Sequence, residues 1–396
     1  MSIPAETVTV VVNGAAYQGW KSVTVNQAFD KVAGDATLTI SEQRGRPLPI
    51  NLGDFVQILM GSTPTITGHV HEVDGSETWK SHEIVLKIRD QTQDFVDSTL
   101  GPGHEHKPPI GFADMLRKGL GKMGLSKIGV IDKVNPDPFG TAEVPVGGID
   151  ELGHAFHDKW ARQRQVVMNT DGKGNIVIDR NRKQRGPGML FSALEDNPLN
   201  NCTESKYKKT DTGRHNTTAQ ASQKSQNDMK HWEGQPKDDK PAQANPMSKK
   251  WGIATDTGVR PERRKHVRGG KGSNSGSPKK GAKWRSNLSK ARGFQYSAKV
   301  VGFEMAPGQL WWPGFIIPVR DDHWNLADEL FITAVRFHKD WSKGATTEVI
   351  CTYNDAFSES SEGESSRTAK TGSGGGDIGS FGGAPDFAGE EYQGEE

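Results

Sequence analysis

The amino-acid sequence predicts a β-rich α+β protein of several domains, with a small antiparallel β-barrel or sandwich near each end. Three observations lead to this fold class. Short runs of β-branched and aromatic residues recur with turn residues between them. Helical spacing of apolar residues is concentrated in one stretch after residue 100. Of 396 residues, only 33% are hydrophobic and 47 are Gly, so the globular part is smaller than the chain.

Residues 1–98 are predicted to form the first β unit. Residues 7–12 are a β-branched run, and Asn13-Gly14 supplies the positive φ angles of a tight hairpin turn. We expect residues 15–25 to return as a second strand that carries Trp20. Asp74-Gly75 is predicted to be the turn of the last hairpin. The further predicted strands are 36–40, 55–60, 65–73 and 82–89.

Residues 99–190 are predicted to form an α+β unit inserted after the first β unit. Two sets of apolar residues fall at helical spacing, one from Phe112 to Met123 and the other from Ile149 to Trp160. Acidic residues open the second set and arginines close it, as the helix dipole favours. Two short apolar runs flank Asp171-Gly172 and predict another hairpin.

The rest of the chain divides by composition. A second β unit is predicted from residues 191–230 and 286–357. Between these parts lies a basic excursion, 231–285, which we expect to be long and mobile, with Trp232 and Trp251 as anchored aromatics. From Lys206 to Arg292 the chain holds 22 Lys or Arg against 7 Asp or Glu. Residues 358–396 are acidic and of low complexity, so no fold is expected there.

The composition also bears on the compartment. Cys202 and Cys351 are the only cysteines, too few for a disulfide framework, which indicates synthesis in a reducing compartment. The sequence has no pattern of a signal peptide and no apolar run of membrane-spanning length. Neither export nor membrane insertion is therefore expected.

The residue pattern gives little support for catalysis. The DDHW segment, 321–324, places carboxylates beside an imidazole, but adjacent residues on a strand or turn point apart. The glycines of GKGSNSG, 270–276, follow no predicted strand and precede no predicted helix, which argues against a nucleotide-binding loop. We predict no enzyme activity and no cofactor.

Two pairs of histidines raise the question of a metal. His104 with His106, and His69 with His71, each alternate along the chain so that both rings of a pair can point to one side. A metal site needs two more ligands for each pair, and the sequence does not place them. We predict no metal, and a metal at either pair is the alternative.

A basic partner-binding patch is predicted around the segment PERRKHVRGGKG. Its density of positive charge has three interpretations: contact with nucleic-acid phosphates, docking on an acidic partner, or a solvated loop. For the first interpretation, Trp251 and Trp284 are near enough in sequence to stack on bases. The residues of the predicted patch are Arg260, Arg263, Arg264, Lys265 and Arg268.

Four stretches, taken in order, resemble one protein family. They are NGAAYQGWKSVTV; GDFVQILM with TGHVHEV and IVLKIRDQTQDFVDST; GQLWWPGFIIPVRDDHWNLADELFITAVRF; and GATTEVICTYNDAF. Together they are similar to the baseplate hub protein of contractile-tailed, Mu-like phages, the tail protein P or late-control D family, which is related to the hub part of type VI secretion spike proteins. None of the stretches is a catalytic signature, so the specificity lies in their combination.

The resemblance implies both an architecture and a function. Each chain would contain two barrels that resemble the tail-tube subunit, and a homotrimer would close into a pseudo-six-fold ring. This ring would join the tail tube to the three-fold central spike and would let DNA pass at ejection. The implied partners are the tail tube protein, the central spike protein, other baseplate hub or wedge proteins and the tape measure protein, with DNA only in transit. The protein would be made in the host cytoplasm and would reside in the virion.

Trp20, Trp311 and Trp312 are the predicted contacts between subunits of this ring. Alternating strand faces would turn one indole of Trp311-Trp312 toward the barrel core and the other toward a neighbour. Two alternatives to a phage hub are the hub of a tailocin-type injection device and a DNA-binding accessory protein that uses the basic segment. A cell-wall hydrolase is a third, weaker alternative.

Overall fold

The computed structural model describes residues 6–17, 19–41, 49–78, 82–140, 144–194, 197–223, 251–271 and 278–358. These ranges are rich in strands and contain few helices, which agrees with the predicted β-rich class. Within them, each helix is too short or too polar to cross a membrane. Trp232 and all of the predicted acidic tail beyond Ser358 lie outside the described residues.

The first β unit contains seven strands and one short helix. These are β1 (Val8–Val12), β2 (Ala15–Tyr17), β3 (Ser22–Ala28), β4 (Asp35–Ser41), β5 (Phe55–Met60), β6 (Thr63–Glu77), β7 (His82–Asp90) and α1 (Gln93–Asp97). Asn13 and Gly14 have φ angles of 48° and 86°, as a type I′ turn requires, and they join β1 to β2. The opening hairpin is therefore confirmed.

Two predictions about this unit are wrong. Residues 15–25 do not form one strand: β2 ends at Tyr17, Gly19 has a φ of 88°, and β3 pairs with β4 instead of β1. Asp74 and Gly75 do not form a turn, because both lie inside β6 opposite Val85 and Ile84 of β7. The β6–β7 hairpin is consequently longer than the turn signal indicated.

The inserted unit consists of two helices and a small sheet. Its elements are α2 (Phe112–Lys122), β8 (Val130–Asp132), α3 (Gly153–Gln163), β9 (Val167–Thr170) and β10 (Ile176–Asp179). The apolar face of α2 is buried as predicted, and β9 pairs with β10 across the predicted turn. The second helix begins later than predicted, since Ile149 precedes α3 and is 71% exposed.

The last part of the chain supplies the second β unit and the basic region. Its elements are β11 (Leu190–Ser192), β12 (Cys202–Lys209), β13 (Thr217–Gln223), β14 (Trp251–Thr255), β15 (Arg264–Lys271), α4 (Pro278–Arg292), β16 (Phe294–Val301), β17 (Glu304–Ala306), β18 (Gln309–Leu310), β19 (Ile316–Asp321), β20 (Leu326–Asp340) and β21 (Gly344–Tyr353).

The described part of the predicted excursion is folded, so the expectation of a mobile excursion is wrong for that part. Strands β14, β13 and β15 form a separate sheet in that order, and α4 packs beside it. Arg214 and Asp256 form a buried ion pair next to this sheet, with an Nη2–Oδ2 distance of 2.8 Å. Trp284 of α4 is buried near Phe357, which makes it unavailable for stacking on bases.

The two β units share one sheet and one hydrophobic core. Strand β3 pairs antiparallel with β20, and Val25 lies opposite Phe337 in this pairing. The resulting sheet has 13 strands in the order β12-β16-β21-β20-β3-β4-β7-β6-β5-β1-β2, with β19 joined to β20 and β11 to β19. Buried side chains from both units, including Val25 and Phe337, belong to one cluster. The description as two separate barrels is therefore not confirmed.

Candidate functional site: assembly surfaces and a histidine cluster

Trp20 and Trp311, two of the three predicted subunit contacts, are buried within one chain. Their side chains are 6% and 3% exposed, and both belong to the core that the two β units share. The indole Nε1 of Trp20 donates a hydrogen bond of 3.3 Å to the carbonyl oxygen of Tyr17. Side chains enclosed in this way have little surface left for a neighbour, so a role in a subunit contact stays a prediction for both.

Trp312 is partly buried and faces a different part of the molecule. It packs on the edge of the shared core and borders a cleft with Asn169 and Asp179 of the inserted unit. The adjacent indoles of Trp311 and Trp312 have different surroundings, but both residues follow the end of β18 at Leu310 and lie on no strand, so the predicted alternation of strand faces is not the cause. Whether Trp312 also contacts another subunit stays a prediction.

Trp341 is an exposed aromatic that the sequence analysis missed. Its side chain is 80% exposed at the turn between β20 and β21, and its backbone N–H donates a hydrogen bond of 3.0 Å to the carbonyl oxygen of Lys21. A large aromatic within the polar turn HKDWSKG was the available signal, because a side chain at a hairpin tip cannot reach the core of its own sheet. Trp324 is also exposed, at 45%, and stacks on Tyr207.

The predicted basic patch follows β15 and the turn before it. Arg260 and Arg263 both pair with Asp211, at 3.9 and 3.2 Å, which neutralises part of their charge. Arg264 and Lys265 are exposed. The patch also acts on the neighbouring His215, whose pKa is lowered mainly by burial and further by the positive charges of Lys265 and Arg263. Arg268 also belongs to β15.

The DDHW segment lacks the geometry of an acid–base pair. Asp321 is fully buried and accepts hydrogen bonds from the Tyr296 hydroxyl, at 2.8 Å, and from the backbone N–H of His323, at 3.0 Å. The side chain of His323 is exposed, so the carboxylate and the imidazole point apart as predicted.

The Cys202 thiol is not activated either. Burial raises its pKa to about 11, which disfavours a reactive thiolate.

The prediction about the surroundings of GKGSNSG is wrong. Its first two residues, Gly270 and Lys271, end strand β15, and helix α4 begins at Pro278 just after it, although neither element was expected there. Residues 272–277 lie outside the described residues. The helix itself begins with the basic sequence PKKGAK.

Three buried histidines come together in the inserted unit. His104 and His106 belong to the segment before α2, and His157 lies on α3. Their exposed fractions are 2%, 2% and 0%, and one ring nitrogen of each lies within 4.8 Å of the others. The alternation of His104 and His106 along the chain predicted that their rings lie side by side, but no sequence spacing places His157 beside them.

Backbone hydrogen bonds hold His104 and His106 against the segment 145–147. The backbone N–H of His106 donates to the carbonyl oxygen of Pro145 at 3.0 Å. The carbonyl oxygen of His104 accepts from the N–H of Gly147 at 2.9 Å. Glu105 between them pairs with Val146 as an isolated β-bridge. Since residues 104–106 pair like a strand, the rings of His104 and His106 project to the same side.

Burial keeps the three imidazoles neutral near pH 7. It lowers the pKa of His157 to about 3 and that of His106 to about 4, and it also lowers the pKa of His104. The Nδ1 atom of His157 lies 2.8 Å from the carbonyl oxygen of Gly153, to which it can donate. Within the described residues, four ring nitrogens of the cluster are buried without a hydrogen-bond partner of acceptable geometry: Nδ1 and Nε2 of His104, Nε2 of His106 and Nε2 of His157.

Comparison with known families identifies the first β unit. Residues 7–90 match the family model described as Mu phage baseplate assembly protein GpP-like, N-terminal. The predicted resemblance to this family is confirmed. No curated protein sequence matches the chain significantly.

Solved structures extend the likeness to most of the chain. The 43 kDa tail protein of prophage MuSo2 from Shewanella oneidensis is 20% identical, with a TM-score of 0.72 over 88% of this chain and 98% of that one. A tail protein from Neisseria meningitidis is 17% identical, with a TM-score of 0.73 over 88% and 97%. Prophage tail protein gp18 from Listeria monocytogenes is 8% identical, with a TM-score of 0.57 over 87% and 94%. The chain therefore has the fold of prophage tail proteins.

Proposed function

We propose that this chain is the structural hub of a contractile phage-tail baseplate. Three copies would form a pseudo-six-fold ring that joins the tail tube to the three-fold central spike and lets DNA pass at ejection. The observation that carries the proposal is the antiparallel pairing of β3 with β20, which joins two β units of one chain into a continuous sheet. Three chains built in this way present six β units, so a three-fold object can match a six-fold tube.

The ends of the sheet support ring closure. Among the described strands, the main path of the sheet ends at β2 on one side and at β12 on the other, and the branch through β19 ends at β11. Each end leaves a strand edge that a neighbouring chain could cover, and sheet edges in stable proteins are usually covered. An obligate interface of this kind commonly buries more than about 2,000 Å².

The proposed partners follow from the hub role. They are two further copies of the chain, the tail tube protein, the central spike protein, other baseplate hub or wedge proteins and the tape measure protein. DNA would be in contact only in transit. The protein would be made in the host cytoplasm and would act in the virion without chemistry of its own.

We assign two surfaces to these contacts. Trp312 and the exposed Trp341 are the proposed aromatic contacts between subunits, since exposed tryptophans often dominate the energy of an interface. The exposed Arg264 and Lys265 are proposed to dock on an acidic surface of a baseplate partner.

Light scattering on the purified chain tests assembly. The expected mass is that of three 43.2 kDa chains. Trp341→Ala should weaken trimer formation by about 30-fold, because it removes a contact worth about 2 kcal/mol, and it should leave the free energy of unfolding of the dissociated chain unchanged.

Trp311→Ala is the matched control, because its indole is in the core. It should lower the free energy of unfolding by about 3–5 kcal/mol. A wild-type mass of one chain at every concentration would contradict the proposal. An unchanged trimer in Trp341→Ala would remove that residue from the interface and leave the trimer itself standing.

A further inference from the structure

We propose that His104, His106 and His157 bind a zinc ion inside the inserted unit. The cluster offers three imidazoles whose ligand atoms lie within 4.8 Å of one another and whose rings are almost entirely buried. Imidazole nitrogen is a preferred ligand of Zn²⁺, and three histidines are an established ligand set for it. This inference does not depend on the hub proposal.

The spacing of the rings fits a tetrahedral ion after a small contraction. Zinc lies about 2.0–2.1 Å from each histidine nitrogen, which puts the centroids of three tetrahedral imidazoles about 5 Å apart. The observed centroid distances are 5.4 Å for His104 and His106, 6.2 Å for His104 and His157, and 6.4 Å for His106 and His157. A shift of about 1 Å in the side chain of His157 would close the difference.

The hydrogen bond of His157 prepares its other nitrogen for a metal. Donation from Nδ1 to the carbonyl oxygen of Gly153 puts the proton on Nδ1 and leaves the lone pair on Nε2. Nε2 is one of the buried nitrogens without a partner. Metal-bound histidines commonly donate their second N–H to a carbonyl oxygen in this way.

The unpartnered nitrogens argue for a ligand between the rings. Burial removes their hydrogen bonds to water. The backbone of Met115 interacts with the His157 ring, but Nδ1 and Nε2 of His104 and Nε2 of His106 have no hydrogen-bond partner among the described residues. The rings cannot satisfy one another well, since His104 meets both of its neighbours edge-on. A zinc ion accepts the lone pair of one nitrogen from each ring at once, which is what the cluster lacks.

Gly119 of α2 keeps the space beside the cluster open. A Cβ atom at this position would lie 2.5 Å from Nε2 of His157 and 3.4 Å from Nε2 of His104. The side chain that any other residue carries would therefore intrude on the proposed ligand atoms. This gives a way to disturb the site without removing a ligand.

The fourth zinc ligand would come from solvent. His106 borders a surface depression that is also lined by Lys118 and Lys122. Three neutral imidazoles leave the charge of the ion uncompensated, and the two lysines add to it. A hydroxide ion or another small anion in the fourth position would offset this charge.

The proposed ion would link two separate parts of the inserted unit. His104 and His106 lie before α2, whereas His157 is more than 50 residues further along on α3. A metal bridge across this distance would stabilise the folded unit, because the unfolded chain has no preformed site.

Zinc titration of the full chain, purified without a polyhistidine tag and stripped of metal, tests the proposal. We expect one zinc ion per chain, and a Tm that rises by about 5 °C with excess zinc. Cobalt(II), used as a spectroscopic substitute, should show the strong visible absorption of a tetrahedral site. His104→Ala and His157→Ala should each weaken zinc binding by about 100-fold or more.

Two further variants distinguish loss of zinc binding from loss of the folded structure. His154→Ala is the matched control, because it removes a histidine from the same helix but outside the cluster, and it should bind zinc like the wild type. Gly119→Ala should weaken binding while every ligand remains. A wild-type chain that binds no stoichiometric zinc and shows no tetrahedral cobalt spectrum would overturn the proposal. So would zinc affinity that both His104→Ala and His157→Ala retain.

Discussion

Asp90 is a buried carboxylate at the junction of the first β unit with the inserted unit. One oxygen accepts hydrogen bonds from the backbone N–H and the hydroxyl of Thr92, at 3.1 and 3.0 Å. The other accepts from the hydroxyl of Thr170 on β9, at 2.9 Å. Burial outweighs these bonds and raises the pKa of Asp90 to about 6. The folded protein therefore favours the protonated form of Asp90 more strongly than the unfolded chain does.

This raised pKa predicts a stability change between pH 7 and pH 4. Near pH 7 the buried carboxylate is charged, and the folded state bears the cost of its desolvation. As the pH falls through 6 toward the ordinary value of 3.8, protonation in the folded state removes that cost. The contribution of Asp90 to the free energy of unfolding should thus rise by about 2 kcal/mol over this range.

Asp90→Asn isolates the effect, because the amide is nearly the same shape and does not titrate. Urea denaturation of both proteins from pH 7 to pH 4 gives the difference in their free energies of unfolding. Relative to Asp90→Asn, the wild type should gain stability as the pH falls and level off below pH 4. A difference that does not change with pH would contradict the assignment.

Individual residues were predictable from sequence only where their environment is local. The turn residues Asn13 and Gly14 were correctly placed, because a tight hairpin requires their φ angles. Trp20 and Trp311 were predicted as subunit contacts and lie in the core of their own chain, because the local pattern does not distinguish a shared core from a subunit contact. The partnership of His157 with His104 depends on how α3 packs against α2, and no sequence spacing encodes it.

The Arg214–Asp256 pair anchors the β13–β14–β15 sheet at the scale of elements. Both side chains are buried, and Nε and Nη2 of Arg214 contact both carboxylate oxygens of Asp256 at 2.8–3.1 Å. Asn216, at the start of this sheet, donates to the carbonyl oxygen of Asp256 at 3.1 Å. Loss of one charge would leave the other buried without its partner.

Asp256→Asn should therefore lower the free energy of unfolding by about 3–5 kcal/mol. Glu329→Gln is the control, since the Arg185–Glu329 pair is exposed and should cost less than about 1 kcal/mol. Native-state hydrogen exchange of amides in β13 and β14 measures the loss where it occurs. Equal small effects of the two substitutions would show that the buried pair does not hold this sheet.

Elements were predicted well where periodicity was strong. The amphipathic spacing of α2 and the β9–β10 hairpin are confirmed, because each buries a face set by nearest neighbours along the chain. Turn signals were less reliable: Asp74-Gly75 lies within β6, since pairing with β7 satisfies its backbone better than a turn would. The basic region was misjudged because its strands are mostly polar: the side chains that β13 buries include only small apolar ones, Ala219 and Ala221, and the Arg214–Asp256 pair is buried beside them.

At the scale of the molecule, the continuity of the sheet is the feature that sequence could not provide. Ala28 on β3 pairs with Ala334 on β20, and both strands carry ordinary alternating patterns that fit several partners. The choice between pairings is decided by the shared core, which collects side chains from both β units. The resemblance to baseplate hubs indicated two β units per chain, and the structure adds that they are joined edge to edge.

Electron-microscopic imaging of the purified full chain tests the hub proposal most directly. If the chain is a hub, images should show a three-fold particle with a central channel, in which each chain contributes its two β units to a ring of six. A monomer with no channel that binds DNA through its basic segment would contradict it and would favour a DNA-binding accessory protein.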